Sequence, residues 1–426
     1  MSRQFEARLE ALYAIDADEG ANRPGLSAAE EDAHRLVADW MEAAGLDVGR
    51  DAAGNTFGRL RGADPARREV WLGSHLDTVP QGGRFDGALG VVAAIHAVEQ
   101  LRHVRPARTI AVVAFRDEEG WRFGRGFFGS RAVCGQIEPA DLEAQDDAGI
   151  RVGEALDALG IEGPTPGRRT APPPHAFLEA HVEQGPVLER AGTPLGIVKS
   201  IAGMVGLRVA FEGSPGHAGT VPLDRRADGL VAAATYVVSL RRAAARIPDA
   251  VATVGECTVP GAAANVIPGK VELTVDARAP ERRTLDDLTG IAERLAHEAA
   301  HSERCNATVV RLARHDPVPL DPAVRALLAR ACAEVGCTHR ELLSGAGHDA
   351  GILAGSGVPA GLLFVRSGAD GVSHSPAETT DPEAMGHCVE ALAAAVRDLA
   401  EDRLSHPSAD ATVPSHHNRH DARCSD

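Results

Sequence analysis

The sequence predicts an α/β fold interrupted by an α+β block, on three observations. Two short apolar runs, Val70 to Gly73 and Ile110 to Phe115, flank an apolar stretch, Ala88 to Leu101, long enough for a helix. Strand, helix and strand in that order give a parallel, right-handed unit. After about Gly203 the pattern changes to alternating segments between helices, and after Asp321 the earlier style returns. The expected parts are a main domain over 1–205 and 321–404, an inserted block over 206–320 and a tail over 405–426.

The elements follow in order. MSRQFEARLEALYAI reads as an amphipathic helix, and Ser27 to Gly45 as another, with Ser27 and Glu30 spaced as a capping box. Glu138 to Pro174 is polar and rich in Pro and Gly near its end, a helix followed by a surface loop. In the inserted block Gly206 to Glu212 alternates like a half-buried strand, Leu230 to Arg246 is an Ala/Val-rich helix, and Ala252 to Val259 and Lys270 to Arg278 alternate again. A charged helix, Thr284 to His301, closes a strand-helix-strand-strand-helix pattern. Then come a helix, a short strand (Gly361 to Val365) and a last helix to about Leu404. The tail, polar and aperiodic with four histidines, is expected to be disordered and solvated.

Bulk properties narrow the function. The chain has 426 residues, enough for two domains with real cores. It is 44% hydrophobic, but only 4% aromatic, so those cores rest on Ala, Val and Leu. The net charge of -16 argues against a nucleic-acid partner and means that an anionic substrate needs a local basic pocket. No apolar run approaches the ~20 residues of a membrane span, and the N-terminus lacks the apolar core of a secretory leader. Seven scattered cysteines without a C-x-x-C pair fit a reducing cytoplasm.

The chemistry-bearing residues cluster at strand ends. GSHLDTVPQGGRFDGALGV (Gly73 to Val91) places His75, Asp77 and Asp86 after the first apolar run, and Asp117, Glu118 and Glu119 follow the second. In open α/β sheets the ligand crevice lies at the carboxyl ends of strands, and such a His/Asp/Glu set suits divalent metals and metal-assisted hydrolysis. His75 and Asp77, two apart, share a strand face: a metal ligand with its orienting carboxylate, or a buried structural pair. Asp86 either caps its turn or bridges two metals. Glu118 and Glu119 repel unless a cation or a proton intervenes, which divides them naturally into a ligand, Glu119, and a general base, Glu118; a solvated acidic loop is the alternative.

Further candidates are His181 with Glu183 and Gln184 in HVEQGPVLE, His348 in SGAGHDAG and His374 in GVSHSPAE; His348 with Asp349 alternatively caps a helix. GRGFFG (Gly124 to Gly129) fits G-x-G-x-x-G but does not join a strand directly to a helix, so it reads as a support loop behind the acids. A phosphate-binding G-x-x-x-x-G-K-[ST] loop and a G-x-S-x-G elbow are both missing from the sequence, which leaves nucleotide hydrolysis and serine-hydrolase chemistry unsupported.

The order His75-x-Asp77, Asp86, Glu118-Glu119, His181, His374 resembles the M20 family of dinuclear metallo-amidohydrolases. HVEQGPVLE, SGAGHDA and GVSHSPAE look like its carbamoylase branch, which includes N-carbamoyl-L-amino-acid hydrolases, allantoate amidohydrolases and β-ureidopropionases. The resemblance implies a mixed-sheet metallo-hydrolase catalytic domain with an inserted α+β lid and dimerisation domain, acting as a homodimer. It implies two divalent ions per subunit (Zn, Mn or Co): His75 and His181 hold one, Glu119 and His374 the other, and Asp86 bridges them. Glu118 is then the base and Asp77 orients His75. His217, in GSPGHAGTVPLDRRADG, reaches the partner's site to polarise the scissile carbonyl; Asn265 and Arg278 grip the substrate carboxylate, and Gln184 bonds the ureido group. The implied reaction cleaves an N-carbamoyl-L-amino acid to amino acid, ammonia and carbon dioxide. Allantoate and β-ureidopropionate are alternative substrates, and FVRS (Phe364 to Ser367) looks more like the N-carbamoyl-L-amino-acid group. An M20 aminoacylase or peptidase, and a binding protein that has lost catalysis, are the rival readings.

Overall fold

The computed structural model describes residues 3–402, so the tail expected over 405–426 lies outside the described residues. In chain order the strands are β1 Asp47–Arg50, β2 Thr56–Leu60, β3 Val70–His75, β4 Ile110–Phe115, β5 Ala176–Val182, β6 Leu195–Ile201, β7 Gly203–Glu212, β8 Gly216–His217, β9 Val251–Thr258, β10 Val266–Ile267, β11 Lys270–Ala279, β12 Asn306–His315, β13 Val318–Pro319, β14 His339–Ser344 and β15 Ala360–Val365.

The larger sheet runs β1-β2-β4-β3-β5-β15-β6-β13, with β14 beside β6. β3 is parallel to β4 and β5, and β5 to β15, whereas β2–β4 and β15–β6 are antiparallel. The sheet is therefore mixed, with a parallel centre. β3, β4, β5 and β15 are buried along their whole length, which is why they read as unbroken apolar runs. Their side chains divide between two cores. Val70, Leu72, Ile110, Val112 and Leu178 pack with the helices Ala88–Leu101 and Pro382–Ala400; Trp71, Ala111, Val113 and Phe177 pack on the other face, near the helix Asp349–Gly355. Gly73 permits the close approach of β3 to β4, since a Cβ there would stand 1.8 Å from the Val113 carbonyl oxygen.

The smaller sheet, β12-β7-β11-β9, is antiparallel throughout. The inward residues of β7 and β11 (Val205, Leu207, Val209, Phe211, Val271, Leu273) pack on the helices Gly229–Ala244 and Arg282–Ser302. β12 is absent from the sequence expectation. It is an edge strand with eight of its ten residues exposed, so no sustained apolar alternation marks it. The segment 138–174 holds two short helices, Pro139–Glu143 and Val152–Ala158, where one was expected. The described cysteines are unpaired, and no described helix is long and apolar enough to cross a membrane.

This topology positions the site. Because β3, β4, β5 and β15 run parallel, their carboxyl ends emerge on one edge of the sheet and carry His75, Asp117 to Glu119, His181 and the loop to His374 to one place.

Candidate metal centre

Asp86 is the hinge of the arrangement. Its Oδ1 lies 3.1 Å from His181 Nε2 and 3.6 Å from His75 Nε2. Its Oδ2 lies 3.2 Å from His374 Nε2, which is 3.3 Å from Glu119 Oε1. The donor atoms of His75, Asp86 and His181 fall within 4.8 Å of one another, as do those of Asp86, Glu119 and His374. One carboxylate thus faces two donor groups, one oxygen to each. The nitrogen and oxygen donors fit zinc, manganese or cobalt. His181 Nδ1 sits 2.9 Å from the Val182 carbonyl oxygen and His75 Nδ1 3.2 Å from that of Asp77. Each Nδ1 is therefore taken up by a carbonyl, and Nε2 is the nitrogen that each ring turns to the centre.

The electrostatics fit a cation. Burial alone would raise Asp86, but hydrogen bonds from His181, His374 and His75 hold its carboxyl well below the ordinary range. Hydrogen bonds to Asp86 and Glu119 lift His374 to about 10. Burial opposes charge on His75, yet Glu118, Asp77 and Asp86 carry it well above its usual value. The carboxylates thus draw positive charge into a buried place, which is what a metal centre requires. Glu118 is pushed well above the carboxylate range by burial and by Glu119, against the pull of His75. Its Oε2 is 3.9 Å from His75 Nε2, outside both donor groups.

Three further carboxylates fix the backbone around the donors. Asp77 accepts from the N–H groups of Glu118 (2.9 Å) and Glu119 (3.0 Å). Glu30 accepts from Asp117 N–H (2.9 Å) and Leu26 N–H (2.7 Å) and meets Arg116. The expected capping box is therefore half formed: Ser27 Oγ accepts from Glu30 N–H at 3.2 Å, but the Glu30 side chain turns into the core instead of back to Ser27. Glu378 accepts from Phe85 N–H (2.7 Å), Asp86 N–H (3.2 Å) and Ser373 Oγ (2.8 Å). Burial and the Asp86 charge raise it to about 7. The GRGFFG segment does support the acids, with Phe127, Phe128 and Gly129 donating to the carbonyls of Glu118, Asp117 and Arg116.

A cavity of about 370 Å³ opens onto the centre and is bordered by His75, Asp86, Glu118, Glu119, His181 and His374, and also by Gln184, Arg278 and His348. Gln184 Nε2 donates to Asp86 Oδ2 at 2.9 Å. Arg278 holds Asp276 bidentately at 2.9 Å and donates to the Gly345 carbonyl at 2.7 Å. His217 and Asn265 stand elsewhere, exposed at the paired strands β8 and β10, and neither borders this cavity. His348 occupies the cap position of its helix without a capping hydrogen bond; its ring lies 4.6 Å from that of His181, and its Nε2 is 3.0 Å from Ser344 Oγ.

Sequence reasoning assigned no role to Glu378, Ser373 or Glu179. Glu179 was detectable, because it is an acid inside an apolar strand two residues before His181; it accepts from Ser74 Oγ (2.8 Å) and Ala350 N–H (2.7 Å). Glu378 carried no such mark, since its backbone partners, Phe85 and Asp86, lie almost three hundred residues earlier in the chain.

The sequence pattern of Peptidase family M20/M25/M40 matches residues 71–398. An N-carbamoyl-L-amino acid amidohydrolase of Geobacillus stearothermophilus is 39% identical over 90% of this chain and 94% of its own. An allantoate amidohydrolase of Bacillus subtilis (strain 168) is 35% identical over 90% and 93%. Among solved structures, a hydantoinase/carbamoylase family amidase from Burkholderia multivorans superposes with a TM-score of 0.88 at 32% identity, covering 94% of this chain and 98% of that one.

Proposed function

The chain belongs to peptidase family M20/M25/M40, in its carbamoylase branch, and within that branch we propose that it hydrolyses N-carbamoyl-L-amino acids. It is an amidohydrolase of carbamoylase type from a metal-dependent family. The observation that carries the finer reading is a single cavity holding two donor groups that share Asp86, an acid beside them (Glu118) and a guanidinium (Arg278).

His75, Asp86 and His181 would hold one divalent cation and Asp86, Glu119 and His374 a second; together they would polarise the ureido carbonyl and acidify water. Glu118 removes a proton from the attacking water and delivers it to the departing nitrogen. Water adds across the bond between the ureido carbon and the amino-acid nitrogen. The amine leaves, and the carbamic acid left behind breaks down to ammonia and carbon dioxide. Arg278 binds the substrate carboxylate and Gln184 the ureido group. His217 of the partner subunit stabilises the developing oxyanion, and Asn265 of the partner subunit assists at the carboxylate. Exposed apolar side chains on the block 206–320 (Leu223, Val231, Val238, Val251 and Val310) support its role as lid and dimer interface.

The test is ammonia release by protein reconstituted with Zn, Mn or Co on N-carbamoyl-L-methionine, allantoate and N-carbamoyl-β-alanine, with an N-acetyl amino acid as control. The expected result is ammonia from the first substrate, reduced ~10²–10⁴-fold in Glu118→Gln. Free amine from the acetyl compound without ammonia from any ureido substrate would move the chain to the deacylases.

A further inference from the structure

A second cavity, of about 430 Å³, adjoins the metal centre. It shares Phe127, Met204, Arg278, Gly347 and His348 with the first, and Ile201, Val318 and Ile352 border it alone. Its volume falls in the ordinary range for ligand pockets, ~300–1,000 Å³. Its charged border is largely spoken for: Arg314 bonds Asp286 (2.6 Å) and Asp316 (2.9 Å), and His315 is exposed. Glycines keep the packing tight around the space. A Cβ on Gly347 would stand 2.6 Å from Phe127 Cζ, and one on Gly351 2.9 Å from Ile201 Cδ1.

We propose that this space receives the α-carbon substituent of the substrate and makes the enzyme selective for N-carbamoyl amino acids with large aliphatic side chains, such as methionine and leucine. The inference rests on the carbamoylase reading above. The α-carbon of such a substrate carries three groups: the ureido nitrogen, the carboxylate and the side chain. With the ureido group at the Asp86 centre and the carboxylate on Arg278, which borders both cavities, the second space is the one left for the side chain. A charged side chain finds no free counter-charge there, since Arg278 is committed to the carboxylate. N-carbamoyl-β-alanine leaves the space unused, and allantoate sets a second ureido group against Phe127, Ile201, Val318 and Ile352.

The experiment compares kcat/KM for N-carbamoyl-L-methionine, -leucine, -glutamate and -glycine in the wild type, Ile352→Thr and Val318→Thr. A methylene in an apolar pocket is worth ~10–200-fold. The methionine-to-glycine ratio is expected to exceed ~100 in the wild type and to fall ~10-fold in each variant whose melting curve shows it folded. A wild-type ratio near one, or folded variants that keep the wild-type ratio, would overturn the pocket. Ammonia from all four substrates at similar rates overturns the pocket alone, whereas ammonia from none of them overturns the carbamoylase reading and the pocket with it.

Discussion

Replacing Glu378 tests whether the donor set is held by its backbone. The Glu378 carboxylate takes two backbone N–H groups on one oxygen, those of Phe85 and Asp86, and Ser373 Oγ on the other. Ser373 and His374 belong to one loop and Asp86 to another, so Glu378 ties together the loops that carry the shared carboxylate and one imidazole. Glu378→Ala leaves two buried N–H groups without acceptors. At ~1–3 kcal/mol each, the loss is ~2–6 kcal/mol, spread between global stability and the placement of Asp86. Glu378→Gln keeps an amide oxygen for both N–H groups and offers its NH₂ to Ser373 Oγ, so it is expected to cost ~1 kcal/mol. The assay is zinc competition against a chromophoric chelator, run beside thermal melting of the same preparations. Glu378→Ala is expected to bind zinc ~10–100-fold more weakly, the usual effect of losing a partner that orients a ligand, and Glu378→Gln within a few-fold of wild type. If Glu378→Ala competes for zinc as the wild type does, the carboxylate does not position Asp86 and the argument fails.

Other outcomes follow from the same contacts. Arg278→Lys replaces a fork that spans Asp276 and the Gly345 carbonyl by a point charge, so KM is expected to rise ~10-fold or more while kcat changes less; a proportionate fall in kcat with KM unmoved would speak for a role in the chemical step. Gly73→Ala forces a Cβ to 1.8 Å from the Val113 carbonyl oxygen inside the buried sheet; it is expected to cost ~3 kcal/mol or more, and a melting temperature equal to wild type would contradict the packing. Burial, aided by the charges of Arg116 and Arg50, holds His34 well below its ordinary value, so the folded chain keeps it neutral. The unfolded chain takes up that proton below ~6.5, and stability should fall with decreasing pH from there, by at most ~1.4 kcal/mol per unit. His34→Asn should flatten the melting temperature between pH 7 and 5.5, and an unchanged slope would remove His34 as the cause.

The elements that a sequence shows most clearly are those whose burial pattern is uniform. The helix Ala88–Leu101 and the strand Ile110–Phe115 were legible to the residue because both are almost wholly buried. β12 was not, because it lies on a sheet edge with its residues turned to water, and β6 and β14 were not, because a lysine, serines and short length break their runs. The donors were legible for another reason. His75, Asp86, Glu119, His181 and His374, with Glu118 beside them, lie at or beyond strand ends, so local spacing marked them as candidates, and the family resemblance divided them into ligands and base. His217 and Asn265 show the limit of motif reading: they stand exposed and do not border the cavity of their own chain, so their motifs alone do not join them to the donors.

The backbone contacts that the sequence hid have one thing in common. Glu30, Asp77 and Glu378 are buried carboxylates that accept from the backbone N–H groups of residues flanking or bearing the donors: Asp117 for the first, Glu118 and Glu119 for the second, Phe85 and Asp86 for the third. A backbone N–H is the same whatever residue bears it, so such a contact leaves no residue-type signature at the site itself. The acceptor is recognisable only once the fold has brought it across 87 residues for Glu30 or 292 for Glu378. Chemistry at the centre constrains which side chains stand there, but the spacing between them is set by these remote acids. Geometry and ligand identity are thereby separable: a substitution at Glu30 or Glu378 leaves every donor in the sequence and is expected to move the donors relative to one another.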